Sequence, residues 1–150
     1  MKKLFVILTV LLFAVSMGAF AQTDSATLNL SGTVGNFVSI SVNPEPAATS
    51  LALSSGQASQ LQVATVTVSA NVAYDVSVNS TNSFSFTDGV DNVSYELYYD
   101  GTQVPGNNVD VESASNANGA TRPIAVTYNA ANGVTPGTYS DTVTFTIDAQ

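Results

Sequence analysis

Six carboxylates, Asp88, Asp91, Glu96, Asp100, Asp110 and Glu112, are the side chains whose types could do chemistry. Two of them at the right separation could hydrolyse a glycosidic bond. One member of such a pair must keep its proton near neutral pH, and that takes an apolar pocket. These acids fall instead at turns or in a polar stretch, where a carboxylate is simply solvated. The chain has no His and no Cys, so the common general base, the imidazole metal ligand and the thiolate nucleophile are missing. Its lysines are Lys2 and Lys3 alone. The expectation is no enzyme and no cofactor. Calcium is a sharper idea for the same acids, because "DGVDN" (88–92) offers Asp88, Asp91 and the Asn92 amide within a short loop. It lacks the twelve-residue pattern ending in Glu, and ordinary turn chemistry explains Asp-Gly and Asp-Asn equally well. No metal site is expected. Asn29, Asn79 and Asn92 begin N-x-S/T triplets, which matter only where a host glycosylates them. Tyr98 breaks parity with Tyr95 and Tyr99 and points outward, but one tyrosine and no Trp make a thin sugar platform.

The elements that carry these residues are set by charge and pattern. Lys2, Lys3, the apolar run 4–15 and the small residues Ala19 and Ala21 read as a secretory signal peptide over 1–21, with Gln22 as the mature start. Removal of that segment leaves Arg122 against eleven acids, a net charge of −10. Such a chain has no electrostatic footprint for nucleic acid or anionic lipid. No stable membrane insertion is expected once the signal is gone. Copies repel at long range, so any self-association must rest on backbone bonds and apolar burial. With no Cys there is no disulfide framework, and a domain of this size must rely on its core.

Period-two alternation runs through the chain. The even positions of 26–42 are mostly apolar and predict two strands broken near Gly35-Asn36, ended by Pro44 and Pro46. Leu51–Leu53 suggests a short edge strand. Ala64, Val66, Val68, Ala70, Val72, Tyr74, Val76 and Val78 share one face of a long bent strand, or of two strands parted near Asn71. "SFSF" (83–86) is a short element. Val93, Tyr95, Leu97 and Tyr99 form a further face, closed by the hairpin signal Asp100-Gly101. Residues 107–121 read as a long mobile loop. Ile124, Val126 and Tyr128 make another strand, and Asn132-Gly133 and Pro136-Gly137 lead to the last one. About seven short strands with regular turns and no convincing helix predict an all-β fold, an immunoglobulin-like β-sandwich, with a closed barrel as the competitor.

The final strand raises the functional question. In "GTYSDTVTFTIDAQ" (137–150), Tyr139, Val143, Phe145 and Ile147 share one parity, and the strand residues 138–150 hold no Pro or Lys. An apolar edge so poorly guarded invites a partner strand. "ATLNLSGTV" (26–34), near the other end, has the alternation to be one. The two could pair within one molecule, or one copy could complete its neighbour's sheet by β-strand addition.

"VSYELYYDG", then a long polar stretch, then "RPIAVTY", then "TPGTYSDTVTFTI" together resemble the spore coat protein U domain family. The resemblance is strongest over 93–147, and the chain departs from many members in carrying no cysteine pair. The resemblance implies a secreted pilin-like subunit whose immunoglobulin-like sandwich is one strand short. It implies a periplasmic chaperone, an outer-membrane usher and other copies of the chain as partners. It implies transit through the periplasm to the cell surface, where the copies form a pilus or coat. Mapped here, the donor strand is Ala26, Leu28, Leu30, Gly32 and Val34 within an extension 22–35, and Gly32 sits where the groove admits no side chain. The acceptor edge of the domain 36–150 is Tyr139, Val143, Phe145 and Ile147. A stand-alone secreted binding or adhesion module with a complete sandwich is the alternative.

Overall fold

A computed structural model of the chain describes residues 23–150. The signal-peptide reading of residues 1–21 and the mature start at Gln22 lie outside the described residues. The chain divides into two units, Met1–Thr33 and Val34–Gln150. In the first, residues 23–33 form no strand or helix, and Leu28 and Leu30 are exposed. The strand expected from Ala26 is therefore not formed.

The second unit is all-β, and nine strands carry it: β1 (Val38–Pro44), β2 (Gln57–Ala70), β3 (Tyr74–Ser80), β4 (Ser85–Thr87), β5 (Asn92–Tyr99), β6 (Thr102–Gln103), β7 (Val109–Ala114), β8 (Ala117–Tyr128) and β9 (Val143–Ala149). They form two antiparallel sheets. The larger runs β1-β2-β8-β5-β4, with β6 also on β5, and the smaller runs β7-β3-β9. Among the described residues no helix is long and apolar enough to cross a membrane.

The long even-numbered face of β2 and β3 builds the core between the sheets. Val66, Val68, Tyr74 and Val76 are all fully buried, although β2 belongs to one sheet and β3 to the other. The chain turns that corner near Asn71, as the sequence predicts. The Asn71 side chain also fixes the entry to β1, accepting from Phe37 N–H at 2.7 Å and donating to Gly35 O at 2.9 Å. Each buried valine contributes about 1.5–3 kcal/mol. Phe86 stacks on Tyr95 with ring centroids 4.4 Å apart and meets Tyr128 edge-on. Asp100 and Gly101 both have positive φ, 49° and 78°, the primed turn that suits a two-residue hairpin.

Two further expectations fail. Leu51–Leu53 is not a strand; a short 3-10 turn at Pro46–Thr49 precedes it, and both leucines pack on the core from a loop. Residues 107–121 are not a long loop, because β7 and the start of β8 occupy most of them. β7 pairs with β3, and residues 117–122 pair with Val66–Ala70 of β2. Their outward side chains are polar, and their inward ones are short runs of Val and Ala interrupted by Glu112 and Arg122, so little continuous hydrophobic pattern is left to read.

Candidate strand-acceptor groove

β1 and β9 are the outer strands of the two sheets, and they face each other along one side of the sandwich with Cα atoms within 8 Å. Among the described residues β1 pairs only with β2 and β9 only with β3. Their inward side chains are left half-covered. Val38 and Ile40 of β1, and Val143, Phe145 and Ile147 of β9, pack on the core yet stay partly exposed. Val42 is 43% exposed, whereas Val66, opposite it on β2, is at 0%. The result is an apolar seam between two edges whose outer backbone, among the described residues, has no ladder partner, and it is the candidate groove.

The other side of the sandwich is built differently. There the large sheet ends in β4 and β6, only three and two residues long. The small sheet ends in β7, which carries Asp110 and Glu112 and pairs across a register break at Val76/Ser77. Short length, charge and a bulge are the devices that blunt an edge. β1 has Pro44 only at its end, and β9 has Asp148 only near its end. The two long, unguarded edges thus lie on one side.

The residues singled out in the sequence are partly brought together. Val143, Phe145 and Ile147 line the groove. Tyr139 precedes β9 and lines a cleft of about 750 Å³ with Leu51, Leu53, Phe86 and Val134. Its hydroxyl donates to Thr135 O at 2.6 Å. Ala26, Leu28, Leu30, Gly32 and Val34 lie in the stretch without a strand; Val34 is exposed, and a Cβ added at Gly32 meets nothing within 4 Å. Sequence reasoning missed the opposite wall, Val38, Ile40 and Val42. Their shared parity was visible, but alternation does not say which strand ends a sheet.

The six carboxylates do not gather at one site, although Asp88 and Asp91 share a loop and Asp100 and Glu112 both approach Arg122, at 3.8 and 2.8 Å. Asp88 Oδ1 accepts from the Asp91 and Val90 amides at 2.8 and 2.9 Å, which holds its pKa below the usual carboxylate range. Asp91 Oδ2 accepts from Thr135 N–H at 2.8 Å and is lowered likewise. Glu96 takes hydroxyl bonds from Tyr98 and Thr127 on the outer face of the large sheet, which lowers its pKa too. Asp100 lies at the β5–β6 turn and Asp110 on β7, both exposed. Among the described residues no group of three or more acidic side chains could hold a metal ion.

Glu112 is the enclosed one. It accepts from Tyr74 Oη at 2.7 Å, Tyr99 Oη at 2.5 Å, and Arg122 Nε and Nη2 at 3.0 and 2.8 Å. Burial opposes its ionisation, but the bonds from Arg122, Tyr99 and Tyr74 outweigh burial and hold its pKa low. Burial, then the bond to Glu112, pushes the Tyr74 hydroxyl up to about 12. The same causes raise Tyr99. This node joins β7 and β3 of one sheet to β5 and β8 of the other, so it is a tie between layers.

The chain matches no protein-family model, and no curated protein matches it.

Proposed function

We propose that this chain is a structural subunit of a secreted surface polymer, pilus-like or coat-like, assembled by donor-strand complementation. The observation that carries this reading is the pair of long, unguarded edges flanking one apolar groove. Residues 26–34 of a neighbouring copy supply the occupant, placing Leu28, Leu30 and Val34 on half-covered core. Burying those three side chains contributes roughly 5–9 kcal/mol, and each backbone bond adds about 0.5–1.5 kcal/mol. A strand bonded to both edges sets them about 9.6 Å apart, so β1 and β9, whose Cα atoms come within 8 Å of each other, must part to admit it. The body is immunoglobulin-like in this reading, and the spore coat protein U resemblance supplies the route: export, a periplasmic chaperone lending a strand, then exchange at an outer-membrane usher.

Deleting residues 22–34 from the exported chain tests this. The expected outcome is loss of heat-resistant ladders on detergent gels, with the truncated body recovered when a synthetic 22–34 peptide is added. Gly32→Leu in the full chain should also remove the ladders while leaving the free fold intact, because the groove and not the free chain excludes its side chain. A parent protein that stays monomeric at high concentration, with residues 26–34 protected from exchange inside the same molecule, sinks the proposal.

A further inference from the structure

The chain changes sheets at Asp141. Ser140 exchanges two backbone bonds of 3.0 Å with Thr87 of β4, and from Val143 the chain pairs with β3. Such a crossing leaves donors without ladder partners, and buried donors must be satisfied. The Asp141 carboxylate takes two such amides and two neighbouring hydroxyls. Oδ1 accepts from Thr142 N–H at 2.7 Å and Asn82 N–H at 3.0 Å. Oδ2 accepts from Ser80 Oγ at 2.5 Å and Tyr95 Oη at 2.6 Å. Ser80 is 1% exposed, and its Oγ in turn accepts from Phe84 N–H at 2.6 Å. Ser83 and Phe84 both hold left-handed backbone, φ 53° and 60°, which side-chain-bearing residues adopt only when neighbours enforce it. Asp141 and Ser80 are those neighbours.

β9 needs such an anchor for a reason visible in its sequence. "TVTFTI" (142–147) repeats polar-apolar pairs, so a slip of two residues against β3 keeps every apolar side chain facing inward. Hydrophobic pattern therefore does not choose between those registers, and β9 has a ladder on one side only. We infer that Asp141 is the positioning residue that pins the register of β9, fixing which of its backbone groups and side chains the groove presents. The consequence for polymer joints rests on the proposed function; the register itself does not.

The chain has no native cysteine, so an engineered pair reports register without background. Asn79 and Thr144 are directly opposite, a separation that suits a disulfide. Asn79→Cys with Thr144→Cys reads the native register, and Asn79→Cys with Thr142→Cys or Thr146→Cys reads the two slips. In the full chain the native pair should oxidise fastest. Adding Asp141→Ala should slow it about tenfold, the weight of one charge-assisted bond, while a slipped pair gains. Tyr95→Phe should shift the ratio in the same direction by less, and it carries the test if the alanine variant fails to fold. Native-pair oxidation unchanged in Asp141→Ala, or in Tyr95→Phe where only that variant folds, overturns the inference. If the parent makes no ladders but Asp141→Ala still loses the native pair, the polymer reading falls and the register pin stands.

Discussion

Glu112 shows how one residue ties the two layers together. Arg122 shares the inward parity of Ile124, Val126 and Tyr128, so the only base in residues 23–150 points between the sheets and meets Glu112 there. The cation's inward parity was legible in the sequence; its partner was not, because the acid comes from a stretch that read as loop. The folded pKa of Glu112 lies below its unfolded value, near 4.5. The sign follows: stability from this tie is present above that value and is lost as pH falls through the lower folded pKa. Thermal melting at stepped pH should show Tm falling below about pH 4.5, with a smaller fall in Glu112→Gln, which cannot titrate. Glu112→Leu at neutral pH should cost about 2–3 kcal/mol, somewhat less than a fully buried pair because Arg122 keeps 27% side-chain exposure. An acid profile identical in Glu112→Gln and the parent would assign the acid lability elsewhere.

At the scale of elements, strands with a long apolar run at one parity were legible, and strands whose inward positions are small, few or charged were lost. The even run 64–78 and the odd run 93–99 became β2, β3 and β5 with the expected faces buried. β7 and the first half of β8 escaped because their inward positions mix valine and alanine with the charged Glu112 and Arg122, which breaks the apolar alternation. The reverse error falls on residues 26–34, whose alternation is as good as any in the chain. A pattern states a preference for a pleated surface, but a strand exists only within a ladder. The groove was half legible: β9 stood out by its unguarded sequence, and β1 did not. That makes β1 the place to test the edge argument. Ile40 faces the groove and is only partly buried. Ile40→Lys places an inward charge on an edge, a natural guard against strand addition, and its long stem lets the ammonium reach water while the groove is empty. The expected outcome is a folded monomer, with a Tm within a few degrees of the parent, that no longer forms ladders. Ladders at the parent level would mean that β1 is not a wall of the joint.

The whole molecule sets the conditions under which copies can meet. Residues 23–150 carry eleven acids and one base, a net charge of −10, and the base is already held by Glu112. Residues 23–150 hold no second basic side chain to offer a neighbour an attractive contact, so net electrostatics between copies of this segment is repulsive. The groove and its proposed occupant are apolar and act only at contact. Repulsion should therefore control how often copies meet, and contact should control how long they stay. The Debye length falls from about 30 Å at 0.01 M salt to about 8 Å at 0.15 M. The rate of ladder formation from purified subunit should accordingly rise steeply over that range, while the heat resistance of ladders already formed should change little. Magnesium and calcium chlorides matched in ionic strength should act alike; a calcium-specific gain would instead point to bridging by carboxylates such as Asp88 and Asp91. A rate that falls with added salt would require an attractive charge pair between copies, and with Arg122 occupied the described residues hold no base to supply it.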